Sequence, residues 1–177
     1  MDFITNYLSA SDPRHAGANK VAFLAGAIMP FYPALLYWLA PGIGWWALVT
    51  VLTFPIYLLV PAIGRRNAMF GQQIFVGFIL LNTLWCVTIM GGATNMPLYA
   101  ISAVAMTVFM SGNRKLWMGI CLVTLVISTR WWPFAPLRPL NAADTAGAFL
   151  LNAVIVFAQV AGIARTAATT IDALRKS

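Results

Sequence analysis

Glutamate is absent from this chain, histidine occurs once, as His15, and cysteine occurs twice, as Cys86 and Cys121. The only acids are Asp2, Asp12, Asp144 and Asp172. General acid–base catalysis needs a titratable group held at the reacting atom, and no pair of carboxylates occurs anywhere in the apolar part of the sequence. There is no HExxH, no Gly-x-Ser-x-Gly and no phosphate-binding glycine loop. Cys86 and Cys121 have no second cysteine nearby, which excludes a CxxC redox pair or a thiolate metal site. They read as small apolar side chains. Haem and similar centres in helix bundles draw on histidines within the bundle, whereas His15 lies in the polar stretch from Ser11 to His15. No catalytic residue, metal site or cofactor is assigned on these grounds, and the chain is expected not to be an enzyme.

Charge is scarce as well. Charged residues make up 8% of the chain, against roughly 25% in a soluble domain. Hydrophobic residues make up 61%, and the mean hydropathy is +0.82. A chain of 177 residues cannot hide that much apolar surface in a core, because a small domain exposes much of its area. Lipid is the solvent that fits. Between Val21 and Ala164 the charges fall only in short breaks: Arg65 and Arg66, Arg114 and Lys115, then Arg130, Arg138 and Asp144. None lies inside a hydrophobic run. That removes the groups on which proton-coupled transporters, ion pumps and intramembrane hydrolases depend.

A spanning helix takes roughly 20 apolar residues. The sequence divides into six such segments: about Lys20–Leu39, Trp45–Ala62, Gln72–Met90, Met96–Met110, Lys115–Thr129 and Asp144–Ala164. The fourth and fifth are short. Turn residues separate them, as at 41–44, 91–95 and 111–113, where glycine, proline and asparagine suit tight reversals. The expected fold is therefore an all-α, polytopic bundle of six transmembrane helices. Residues 1–19 would form an N-terminal interfacial segment, 20–164 the membrane domain, and 165–177 an extension of the last helix. With six spans, nine basic residues share the side of the termini: Arg14, Lys20, Arg65, Arg66, Arg114, Lys115, Arg165, Arg175 and Lys176. Only Arg130 and Arg138 lie opposite. Positive residues mark the cytoplasmic face, so both termini are expected in the cytoplasm, with anionic membrane lipids as partners. Separate basic pairs at successive loops do not suggest nucleic-acid binding. No cleavable signal peptide is evident.

Prolines and aromatics suggest where a ligand could sit. Pro30 and Pro33 interrupt the first helix, and Pro55 should kink the second. Tyr32, Tyr37 and Trp38 follow the first break, and Trp85 lies one turn from Asn82. Asn152 and Gln159 fall on nearly the same face of the sixth helix, and an amide in hydrocarbon must find a partner. Arg130 and Trp131 cap the fifth helix at the outer side, where a positive charge runs against the topology rule. Aromatics with a few amides and a cation are the usual lining of a small-molecule site. Tyr32, Asn82, Trp85, Arg130, Trp131 and Asn152 are accordingly the candidate ligand-binding residues. Belt aromatics and interhelical packing are the alternative for the same set. The proline-rich stretch from Pro133 to Pro139 reads as a stiff outer lid. Asp144 reads as the N-cap of the sixth helix.

The sixth helix has no stop after Ala164, and Arg165 to Ser177 continues in helical composition. From Asp144 to Lys176 a helix would reach roughly 48 Å, beyond a hydrocarbon core of about 30 Å. This layout of short loops, internal termini and a last helix entering the cytoplasm resembles the six-helix membrane modules of bacterial signalling proteins. These include the MASE-type domains ahead of cyclases and the six-helix sensor regions of some histidine kinases. The resemblance implies a sensor or anchor in the bacterial inner membrane. It would bind a small apolar or amphipathic ligand in the outer half of the bundle and signal through the last helix, with a homodimer or a partner membrane protein as its assembly. No kinase or cyclase sequence follows, so the chain would be the sensor part of a longer design or a stand-alone protein. A small permease, exporter or channel is the competing reading, and a membrane scaffold assembling through Asn82, Asn152 and Gln159 is a third.

Overall fold

The computed structural model describes residues 2–10, 12–110, 112–130 and 133–176, with Asp2, Phe3 and Lys176 as backbone. Among the described residues the chain is all-helical, with no strand. The helices are α1 (Asp2–Leu8), α2 (Pro13–Ile28), α3 (Tyr32–Leu39), α4 (Trp46–Val49), α5 (Phe54–Arg66), α6 (Ala68–Met90), α7 (Tyr99–Met106), α8 (Arg114–Arg130) and α9 (Ala142–Lys176).

Among the described residues four helical stretches, not the expected six, are long and apolar enough to cross a membrane: Pro13–Leu39, Trp46–Arg66, Ala68–Met90 and Ala142–Arg175. The fourth expected span is the shorter apolar helix Met96–Phe109, whose 14 residues rise only about 21 Å. The fifth is α8, 17 residues long and bounded by Arg114 and Arg130, or about 25 Å. The physical reason is local. Pro97 starts the fourth segment in a tight turn, a 3₁₀ turn at Thr107–Phe109 ends it, and charges close both ends of α8.

Both of the first two spans are broken. Pro30 and Pro33 lack the N–H that would continue the ladder, and the chain tightens into a 3₁₀ turn at Met29–Phe31 between α2 and α3. In the second span the break falls earlier than Pro55 alone would place it. α4 is four residues long, residues 50–53 form turns, and Pro55 sits in the first turn of α5. Proline is well suited to that position, because no donor is needed there.

Two close approaches fix the bundle. α5 and α6 are joined through Asn67, whose Oδ1 accepts from the Phe70 N–H at 3.0 Å and caps α6. Gly64 and Gly71 meet there so closely that a Cβ on Gly71 would lie 2.9 Å from the Gly64 Cα. At the other end α3 meets α9, where a Cβ on Gly147 would run into the Leu39 carbonyl. α9 is capped by Asn141, whose Oδ1 accepts from the Asp144 N–H at 2.8 Å. Asp144 is thus not the cap but an acid in the first turn, where the helix dipole favours it. The proline-rich segment is tied down: the Leu137 and Arg138 N–H groups donate to the Thr88 and Ile89 carbonyls, and Arg138 Nε donates to the Gly42 carbonyl. It therefore closes the end of α6 and the turn at Pro41–Ile43.

The core consists of two packed clusters. One, around Ala18, Phe75, Phe109 and Ile163, lies towards the basic end of the bundle. The other, around Leu36, Ile43, Val87 and Ala148, lies towards the opposite end. α2–α3, α5, α6, α7 and α9 enclose the space between them, while α8 packs on α6 and α7 from outside.

Candidate functional site

A cavity of about 340 Å³ occupies the junction of the two clusters. α6 supplies Phe75, Ile79, Asn82, Thr83 and Cys86, and α7 supplies Tyr99, Ser102 and Met106. The proline break contributes Ile28, Met29 and Tyr32, and α9 contributes Ile155, Ala158, Gln159, Gly162 and Thr166. Among the described residues no charged side chain lines it. Its walls are apolar with a few hydroxyls and two amides.

The polar groups are ordered by short bonds. Thr53 Oγ1 donates to Asn82 Oδ1 at 2.9 Å. Ser102 Oγ donates to Gln159 Oε1 at 3.0 Å. Tyr32 Oη donates to Asn152 Oδ1 at 2.8 Å, Tyr99 Oη approaches the same oxygen at 3.4 Å, and Asn152 Nδ2 donates to the Thr94 carbonyl at 2.7 Å. Asn152 is fully buried and ties α3, α7 and the turn after α6 to α9. It does not line the cavity but orients two tyrosines that do.

Of the candidate residues, Tyr32 and Asn82 line the cavity and Asn152 stands behind Tyr32. Trp85 does not line it. Its indole Nε1 donates to the Val49 carbonyl at 3.1 Å, a group exposed by the break after α4. Cys86 Sγ lies 3.7 Å from the Thr50 carbonyl in the same break. Asn82, Trp85 and Cys86, spaced i, i+3 and i+4 on one helix face, therefore seal the second span's break. Arg130 is exposed at the end of α8, away from the cavity. Trp131 lies outside the described residues. Phe31, Tyr37 and Trp38 are also exposed on the bundle's outer surface, where aromatics of a membrane belt belong.

Tyr99 and Ser102 were not among the sequence candidates. Their signal is an i, i+3 polar pair in an otherwise apolar segment, facing Asn152 and Gln159 seven residues apart on α9. The cavity lies where the helices part between the two core clusters rather than at the end that carries Trp45 and Trp46.

Among the described residues, no three His, Cys, Asp or Glu side chains come together. No protein-family model, curated protein or solved structure matches the chain.

Proposed function

We propose that this chain is a non-enzymatic sensor or anchor module of a bacterial cytoplasmic membrane. It would cross the membrane with both termini inside and hold a small apolar or amphipathic ligand in the cavity between α2–α3 and α9. One observation carries this reading: the helix that forms a wall of the cavity is the same helix that extends to the basic end. α9 lines the cavity from Ile155 to Thr166 and continues to Lys176. Its Thr170 packs beside Phe109 over Gly17, where a Cβ would come within 2.7 Å of the Phe109 ring. A ligand that fits one setting of α9 against α2 better than another shifts the balance between them, which is what signalling requires. The basic residues gathered at the end that holds both termini support the sidedness.

The test uses Gly162, where a Cβ would meet nothing within 4 Å. Gly162→Phe therefore fills the cavity mouth without a clash at the backbone. Native mass spectrometry of gently solubilised wild type is expected to show one small molecule per chain, lost in Gly162→Phe at unchanged melting temperature. An empty wild type, or a molecule retained by the variant, overturns the reading.

A small permease or exporter is the second reading. It is favoured by the breaks at Met29–Phe31 and at residues 50–53, both beside the cavity, since discontinuous helices mark transporter sites. Movement of the co-purifying molecule across proteoliposomes, abolished by Gly162→Phe, would select it.

A further inference from the structure

We infer that the ligand is a neutral, single-chain lipid-like molecule whose head carries carbonyl-type hydrogen-bond acceptors and which enters sideways from the bilayer; this rests on the reading of the cavity as a ligand site.

The route follows from where the helices touch. α2 and α9 are joined at the basic end through Gly17 and Thr170, and α3 and α9 at the other end through Leu39 and Gly147. Between these contacts the cavity borders Leu24, Ile28 and Leu35 on one side and Ala158 and Gly162 on the other, all of them exposed. The slot is closed at both ends and open along its length at mid-span. An apolar mouth at that depth faces acyl chains, not water.

The head chemistry follows from the two amides. Asn82 and Gln159 line the cavity from different walls, and each oxygen already accepts one bond, from the Thr53 and Ser102 hydroxyls. Among the described residues neither amide nitrogen has a hydrogen-bond partner, and neither is fully buried. The site therefore offers N–H donors whose bonding capacity is unmet, beside oxygens that are already partly satisfied. In hydrocarbon an unmet N–H is costly, and a ligand carbonyl meets it. A cationic head finds no carboxylate among the lining residues and an anionic head no cation, so either would sit as an uncompensated charge. The volume of about 340 Å³ takes a head and the start of a chain, with the remainder passing out through the slot.

A matched set of twelve-carbon probes tests this on the detergent-solubilised full chain, with affinities read by native mass spectrometry: dodecane, methyl dodecanoate, dodecan-1-ol and dodecylammonium. Methyl dodecanoate is expected to bind one per chain and more tightly than the other three. Asn82→Leu and Gln159→Leu should each lower its affinity about fivefold, the value of one hydrogen bond, and leave dodecane unchanged. Ser102→Ala, which removes the hydroxyl that Gln159 Oε1 accepts from, should improve dodecan-1-ol relative to the ester. Equal binding of ester and alkane, an ester preference that survives both leucine variants, or tightest binding of dodecylammonium overturns the inference. Gly162→Phe separates this from the reading beneath it. If all probes still bind that variant, the cavity is not the ligand site; if all are lost while wild type fails to discriminate, only the head chemistry is wrong.

Discussion

The first two spans are both interrupted, yet the interruptions end differently. Behind the break at residues 50–53, α6 presents Asn82, Trp85 and Cys86, and their polar atoms engage Thr53 and the Val49 and Thr50 carbonyls. That break is sealed by bonds to its carbonyls, although Thr50 still borders the cavity. Among the described residues no side chain bonds the carbonyls of the break at Met29–Phe31, and Ile28, Met29 and Tyr32 border the cavity there. A proline says where the ladder stops. Whether the gap becomes packing or a pocket depends on what the neighbouring helix presents.

The comparison can be broken hardest where α3 returns to α9 beyond the open break. Gly147→Ala puts a methyl group into the Leu39 carbonyl. It should cost about 3 kcal/mol, the upper range for overpacking, seen as a lower unfolding midpoint in SDS titration; an unchanged midpoint would mean that α3 and α9 are not held together there. Next comes the tie that orients the cavity tyrosines. Asn152→Leu leaves the buried Tyr32 hydroxyl and the Thr94 carbonyl without their partner. A loss of about 2 kcal/mol is expected, partly restored by adding Tyr32→Phe; a double variant no more stable than the single one would assign the cost to packing alone. The smallest effect belongs to the sealed break. Trp85→Phe removes the indole N–H bond to Val49, worth about 0.6 kcal/mol for a bond between membrane helices, together with part of a half-exposed ring, and should leave ligand affinity unaltered. A large change in affinity would show that the two breaks communicate.

Much of this was legible in the residues. Lack of charge within the runs and the mean hydropathy of +0.82 point to lipid, and Pro30 and Pro33 located the first break. Tyr32, Asn82 and Asn152 stood out because a polar group in an apolar helix needs a partner. The partners themselves were not legible. Asn152 meets Tyr32 across 120 residues of chain, and Ser102 meets Gln159 across 57, distances over which a single sequence carries no pairing signal. Arg130 drew attention as a positive charge on the outer side and Trp85 by lying one turn from Asn82: the first is exposed, and the second bonds a carbonyl that exists as an open acceptor only because α4 ends at Val49. The count of spans failed for a related reason. Apolar runs of similar composition differ in how far they stay helical, and the 3₁₀ turns at Met96–Leu98 and Thr107–Phe109 leave no mark on hydropathy.

By itself the sequence determined the apolar character of the helices, the place where the first of them breaks and the positions of the charges, because each of these depends on local composition. Tertiary structure alone decided which amides are satisfied and which keep a free N–H, which break is sealed, and where the cavity lies. Those outcomes depend on which helix faces share one space, and helix packing sets that through side chains far apart in the chain.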